Sequence, residues 1–334
     1  MRKLLPVSLI VLIIIVIAMP AAGVRSCRPV DTPPPPSVDR TPIESPAGEI
    51  MLDVFNHNLG QLQTMSLEEY LVGVVTAEMP AAFDLEALKA QAVVARTYTV
   101  NQMRAYGGKG CDKHSQADIC TDPAHCQAWE SEEKALGKWP AQEASTYLNK
   151  IRAAVRATAG KVVLHNGNLI DAVFHASCGG HTENSENVWS AALPYLRGVA
   201  DPYCIGTRWS KTEHEFSGAQ FAQAIFPYVS AVPVSSSGRP LLDNAVRSNT
   251  GRIKQLNIAG ETVSGRDLRS ALKLPSTNVT WQITGEKVTF TVRGYGHGVG
   301  LCQYGANGMA NAGKDYLEII QHYYTDVEVK YLTP

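Results

Sequence analysis

The sequence predicts an α+β protein, with mixed helices and antiparallel strands around a groove, behind an N-terminal transmembrane helix. Three observations predict it. Helical and strand-like segments follow one another without a regular β–α alternation. Leu85, Leu88, Ala92, Val93 and Ala95 form an apolar stripe at roughly helical spacing. Two strand-like runs flank Asn166 and Gly167, the residue pair that suits a tight hairpin turn. No internal repeat is evident, and 45% hydrophobic residues over a 334-residue chain is ample for a packed core.

In chain order, Arg2 and Lys3 precede an uncharged run from Leu4 to Val24, about the length a bilayer-spanning helix requires. "AAG" at Ala21 to Gly23 offers a cleavage site, but the Ile-rich run is long for a signal peptide, so a retained anchor is expected. Residues 1–25 are therefore a cytoplasmic tip and membrane anchor, and the rest lies outside the cytoplasm. Residues 26–47, rich in proline, cannot form a helix or central strand and make a semi-rigid spacer. Residues 48–334 form the ectodomain, which two subdomains could share.

Within it, "GEIMLDVFNHN" has the composition of a strand. "SLEEYLVGVVTAE" opens with Ser66 three residues ahead of Glu69, a helix-capping signature, and stops at Pro80. Asp84 caps a second helix reaching toward Tyr106. A third runs from about Ser145 to near Gly160, and "KVVLHNGNLIDAVFHAS" follows as the hairpin. "GRIKQLNIAG" and "NVTWQITGEKVTFTVRG" are strand-like, with a short helix near Arg266 to Leu272 between them. A final helix lies around Tyr316 to Tyr324.

A formal net charge of −1 with no basic run gives no case for a nucleic-acid partner. Seven cysteines in an exported chain allow disulfides but not complete internal pairing. Cys111, His114, Cys120, His125 and Cys126 crowd one loop, and zinc favours such thiolate and imidazole donors. The evenly spaced His114, Cys120 and Cys126 are the expected ligand set, with a fourth place for water, substrate or Cys111. A Cys111–Cys126 disulfide is the competing reading, and the two stay open. Zinc here would pin a long loop. No His-Glu-x-x-His pattern accompanies the cluster, which makes a zinc peptidase or amidase the weakest reading.

"HASCGGHTENSENVW" places paired glycines and polar side chains after a strand, where Ser177, Thr182 and Glu183 are candidate substrate contacts. Cys178 is flanked by His175 and His181, but short spacing does not make a nucleophile and base; a Cys178–Cys204 disulfide is expected instead. "GYGHGVGLCQYGA" lacks the Lys-Ser or Lys-Thr of a phosphate loop, so nucleotide binding is set aside. Its His297, Gln303 and Tyr304 line the groove or satisfy buried hydrogen bonds.

The combination "TAEMPAAFDLEALKAQAVVARTY", "HASCGGHTENSENVW…PYLRGV" and "GYGHGVGLCQYGA", in that order behind an anchor, resembles the stage II sporulation protein D family from about Ile50 to the C-terminus. The resemblance implies a membrane-anchored lytic transglycosylase that cuts peptide-stripped peptidoglycan glycan strands during engulfment. It would act alongside a peptidoglycan amidase and a multispanning membrane protein. It makes Glu78 the catalytic acid, matches Lys89 and Arg96 to the family's motif as substrate-binding residues, and likens Tyr195 and Arg197 to positions near its glycan-binding groove. Cys302 falls where the family tolerates various residues, which suggests a buried free thiol.

One acid suffices for this chemistry. A hydrolytic glycosidase needs two carboxylates, whereas the C6 hydroxyl of N-acetylmuramic acid can attack its own anomeric carbon and leave a 1,6-anhydro product. Glu78 would give its proton to the glycosidic oxygen and then take one from that hydroxyl. The alternative, from another class, is a noncatalytic glycan-binding activator of a partner amidase.

Overall fold

The computed structural model describes residues 35–46 and 48–333. The expected anchor, residues 1–25, lies outside the described residues, as does the first part of the spacer. Among the described residues no helix is long and apolar enough to cross a membrane.

The chain is α+β. β1 (Met51–Asn56) and β2 (Gln61–Ser66) form an antiparallel hairpin, and β1 also pairs in parallel with the short β3 (Ile119–Cys120). Ser66 caps α1 (Leu67–Glu78) by accepting from the Glu69 amide, and Asp84 caps α2 (Leu85–Gln102) by accepting from Glu86. The helix–loop–helix junction around Glu78 thus ends at the Asp84 cap. α3 (Glu132–Lys138), absent from the sequence reading, precedes α4 (Ala141–Ala157), which starts earlier than expected.

β4 (Lys161–His165) and β5 (Asn168–Leu169) make the anticipated hairpin, with Asn166 and Gly167 both at positive φ (50° and 79°). β6 (Phe174–His175) delivers the chain to the glycine-rich loop. β7 (Thr212–Ser217), α5 (Gly218–Ile225), β8 (Leu242–Arg247), β9 (Ile253–Ile258), β10 (Glu261–Ser264), α6 (Gly265–Ala271), β11 (Val279–Thr284) and β12 (Lys287–Val292) follow. Two antiparallel sheets, ordered β10-β9-β8 and β11-β12-β7, close around their own apolar cluster that includes Phe221, Leu256, Leu268 and Phe290. β13 (Leu301–Cys302) pairs in parallel with β6. It leads into α7 (Gln303–Asn311), α8 (Tyr316–Tyr323) and β14 (Glu328–Tyr331), which pairs with β4. The strands are mainly antiparallel, and the two parallel pairings are each two residues long.

The larger core joins α1, α2 and α4 to the β4 sheet and to α7 and α8. Arg96 lies inside it, 0% exposed, and its guanidinium forms a fork on the Glu68 carboxylate at 3.0 and 2.6 Å while also donating to the carbonyls of Lys161 and Val155. This corrects the substrate-binding role expected of Arg96: the side chain has no route to a ligand, and it ties α2 to α1, α4 and β4. Beside it, Arg152 of α4 bridges Glu69 of α1 and Glu132 of α3. The tail of the proline-rich segment is docked here as well. Asp39 accepts from Arg156, Arg152 and Arg156 donate to the Thr41 carbonyl, and Ile43 is buried. The segment from Ser37 to Ile43, expected to belong to the spacer, is therefore packed on the folded body.

Candidate active site

α1 ends at Glu78, and its last residues form the centre of a cleft. Two adjoining cavities, of about 410 and 570 Å³, share Glu78, Ala176, Tyr295 and Gln303 as lining residues. The first continues past Met79 and Pro80 to Trp139, Arg208, Trp209 and Tyr304. The second continues past Tyr98 and the segment 123–127 to His175, Trp189 and His297. Glu78 is the only carboxylate among the residues that line either cavity.

Burial pushes the Glu78 carboxyl above the ordinary range, against the opposing pull of one hydrogen bond from the Ala128 amide to Oε1 at 2.7 Å. Its place at the C-terminal end of a helix acts in the same direction as burial, because the last carbonyls disfavour negative charge. The Ala128 amide is positioned by a close approach of two backbones. Trp129 lies over Gly73 of α1, where a Cβ would stand 2.1 Å from the indole Nε1, and Glu130 N donates to the Gly73 carbonyl at 3.2 Å. A glycine in mid-helix admits the segment that reaches Glu78.

That segment is gathered at its other end by thiols. Ligand atoms of Cys111, Cys120, His125 and Cys126 all lie within 4.8 Å of one another, and His125 Nδ1 is 3.3 Å from the sulfurs of both Cys120 and Cys126. Three sulfurs and an imidazole in this grouping suit tetrahedral zinc. The expected histidine differs: the His114 ring stacks on Phe55 at 3.6 Å, and His125 stands with the thiols instead. Even spacing in sequence did not anticipate that the Asp122–Cys126 turn, closed by Cys126 N on the Asp122 carbonyl, returns His125 to Cys120. The same four residues are free thiols and an imidazole, with no Cys111–Cys126 bond.

The remaining expected contacts divide. Gln303 and Tyr304 line the cleft at the start of α7, and Gln303 donates to Gln91 of α2. His297 lines the second cavity with its ring only. Its Nδ1 accepts from Val299 N, Nε2 donates to the Phe174 carbonyl, and burial holds its pKa down to about 4, so it is a neutral wall residue. Lys89 faces away and pairs with Glu86 at 2.5 Å. Ser177 is buried with its hydroxyl against Cys204. Thr182 is occupied by Val199, and Glu183 by Ser248, Thr250, Asn187 and the Asn184 amide. Tyr195 accepts from Asp171 N beside the β4–β5 hairpin, and Arg197 pairs with Glu186. The substrate-contact role is therefore corrected for Lys89, which pairs within its own helix, and for Ser177, Tyr195 and Arg197, whose side chains hold loops in place. Cys178 and Cys204 are likewise not joined: all six described cysteines are free, and the Cys178 thiol donates to Asp201.

Sequence reasoning missed the aromatic walls. Tyr295 (44% exposed) lies tilted against Trp209 at 4.5 Å, Trp189 (40% exposed) stands 5.1 Å from His297, and Arg208 lies over the Trp209 ring at 4.7 Å. Flat apolar faces with polar edges suit sugar rings. These residues come from loops far apart in sequence, and only their convergence marks them.

A family model described as Stage II sporulation protein matches residues 55–165, which include Glu78 and the thiol segment. Stage II sporulation protein D of Bacillus subtilis (strain 168) is 35% identical over 284 residues, covering 85% of this chain and 80% of that protein. The chain belongs to the stage II sporulation protein D family. Membership makes it a cell-wall-related sporulation protein. The Bacillus amyloliquefaciens member is 35% identical over 287 residues, covering 86% of this chain and 79% of that protein. An amidase enhancer of Bacillus subtilis (strain 168) is 30% identical over 312 residues, covering 76% of this chain and 39% of that protein.

Proposed function

We propose that the protein is a lytic transglycosylase cleaving peptidoglycan glycan strands, with Glu78 as its single acid and base. The observation that carries this reading is the solitary carboxyl at the centre of an aromatic-walled cleft, its pKa raised by burial. With no second carboxylate among the lining residues to activate water or form a glycosyl intermediate, the nucleophile that fits is one supplied by the substrate.

Protonated Glu78 donates to the bridging oxygen as the bond to the anomeric carbon of the muramic acid breaks. The carboxylate so formed then accepts the proton of that sugar's C6 hydroxyl as its oxygen bonds to the same carbon. The Ala128 amide, already bonded to Oε1, strengthens its hold as negative charge develops on Glu78. Tyr295, Trp209 and Trp189 offer faces on either side of Glu78 for successive rings.

Arg208 supports a preference for peptide-stripped strands. A stripped muramic acid ends in a free lactyl carboxylate, whereas a peptide-bearing one ends in an amide. Arg208 lines the cleft and has no carboxylate partner among the described residues. Zinc on Cys111, Cys120, His125 and Cys126 would be structural, fixing the segment whose Ala128 amide meets Glu78. Membrane anchoring, a place in engulfment and partnership with an amidase and a multispanning membrane protein complete the proposal.

The likeness to an amidase enhancer favours one other reading, a glycan-binding activator without chemistry of its own. Glu78→Gln separates them. Loss of strand cleavage with strand binding retained supports the enzyme; cleavage by neither protein, with amidase stimulation by both, overturns it.

A further inference from the structure

Behind the cleft wall lies a second cluster that the proposed chemistry does not use. Cys178, Asp201, Cys204 and Cys302 come from three segments: the loop after β6, the turn Pro202–Cys204, and the junction of β13 with α7. Their ligand atoms all lie within 4.8 Å of one another, and all four residues are 0% exposed. Cys204 and Cys302 sulfurs are 3.5 Å apart, and Cys178 Sγ is 3.1 Å from Asp201 Oδ2. Donors at about 2.0–2.3 Å from a tetrahedral ion stand roughly 3.3–3.8 Å from one another, so the grouping is close to the size zinc requires.

We propose that these four residues form a tetrahedral, three-cysteine, one-aspartate zinc site that locks the rear of the cleft wall. Each donor is already oriented by its neighbours, as metal ligands are. Cys178 N and Gly305 N donate to Cys302 Sγ at 3.2 and 3.3 Å, and Gly180 N donates to Cys178 Sγ at 3.3 Å. Ser177 Oγ lies 3.0 Å from Cys204 Sγ. Asp201 accepts from the buried Tyr323 hydroxyl at 2.9 Å and from Cys204 N at 3.1 Å. The cradle is shaped for the carboxylate: a Cβ on Gly305 would stand 2.0 Å from Asp201 Oδ2.

Charge is consistent with this assignment. On binding, the thiols release their protons to solvent, and three thiolates with a carboxylate leave the zinc centre negative. Arg252, 3% exposed, stands behind the same loop and donates to the carbonyls of Cys178 at 2.7 Å and His181 at 3.0 Å. The site touches the cleft through its backbone. Ser177 exchanges two backbone hydrogen bonds with Tyr295, Tyr304 N donates to Ala176, and Gln303 follows Cys302 directly. A metal here would fix Ala176, Tyr295, Gln303 and Tyr304 against Glu78 while touching no substrate. The inference stands on these residues alone and does not depend on the reaction assigned to Glu78.

The test is metal content by mass spectrometry on the full chain, prepared with zinc and without chelator, beside a Cys111→Ser/Cys120→Ser/Cys126→Ser variant that removes the first cluster. That variant is expected to keep about one zinc per chain and to lose it when Cys204→Ser is added. With cobalt(II) in place of zinc it should show intense sulfur-to-cobalt charge transfer, weakened by Cys302→Ser. Should the triple variant not fold, wild type and Cys204→Ser are compared directly: about one equivalent fewer in the variant supports the site, and an equal count overturns it. A disulfide among Cys178, Cys204 and Cys302, found by peptide mapping of the unreduced protein, also overturns it.

Discussion

At the scale of single residues, Glu78 and Arg96 show opposite uses of burial. Glu78 is raised by burial against one amide donor, so its proton is held to higher pH than an ordinary carboxyl's and its charged form is disfavoured. As general acid it must be protonated, so cleavage should fall as pH rises through the raised folded-state pKa. A raised carboxyl pKa also means that the folded state loses stability over the window from the ordinary carboxylate pKa up to the raised one. Glu78→Gln is therefore expected to abolish cleavage, by about 10²–10⁴-fold or more, and yet to raise the melting temperature at pH values above the raised folded-state pKa. The gain should vanish in acid, below the ordinary carboxylate range, and thermal melts across pH check this. Arg96→Ala is expected to destabilise by about 3–5 kcal/mol, because Glu68 is left charged and buried without its partner; Lys89→Ala should cost under about 1 kcal/mol. Denaturant titration of both distinguishes a core residue from a surface pair. Arg208→Ala is expected to lower kcat/KM on stripped strands by about tenfold or more, from the ~1.5–3 kcal/mol of a charged hydrogen bond. Peptide-bearing strands should be little affected.

At the scale of elements, the sequence made the helix ends and hairpin turns legible because caps and turns are local. Ser66, Asp84 and the Asn166–Gly167 pair each act within a few residues of themselves. Lys89 and Arg96 were placed correctly on one helix but assigned to the wrong neighbour, since which face meets the core is decided by α1 and α4. His125 was legible as part of the thiol-rich loop but not as a ligand, and Cys178 as a neighbour of Cys204 but not of Asp201 and Cys302, because these partners lie across turns or 23 and 124 residues away. Gly73 shows the coupling between elements. Gly73→Ala would force Trp129 off α1 at a cost of about 1–3 kcal/mol, and with it the Ala128 amide off Glu78. Loss of that hydrogen bond removes the one interaction that lowers the Glu78 pKa. The alkaline limb of kcat/KM should then move to higher pH while its plateau falls. An unmoved limb in the folded variant would detach the segment from the site.

At the scale of the whole molecule, a helical core that contributes Glu78 meets loops that contribute aromatic faces, and thiol clusters stand at both places where those loops turn. The three motifs in the sequence mark the three approaches to one cleft, which is why their order pointed to the family while their individual side chains often proved to be supports. Withdrawal of metal by a chelator is expected to lower the melting temperature and slow cleavage, with zinc restoring both. The central claim is tested most directly by mass spectrometry of the products that the chain and its Glu78→Gln variant release from peptide-stripped glycan strands. Anhydro-muramyl ends from the wild-type chain alone are the predicted result. Reducing ends would contradict it, because they require a water activated by a second group that the cleft does not provide.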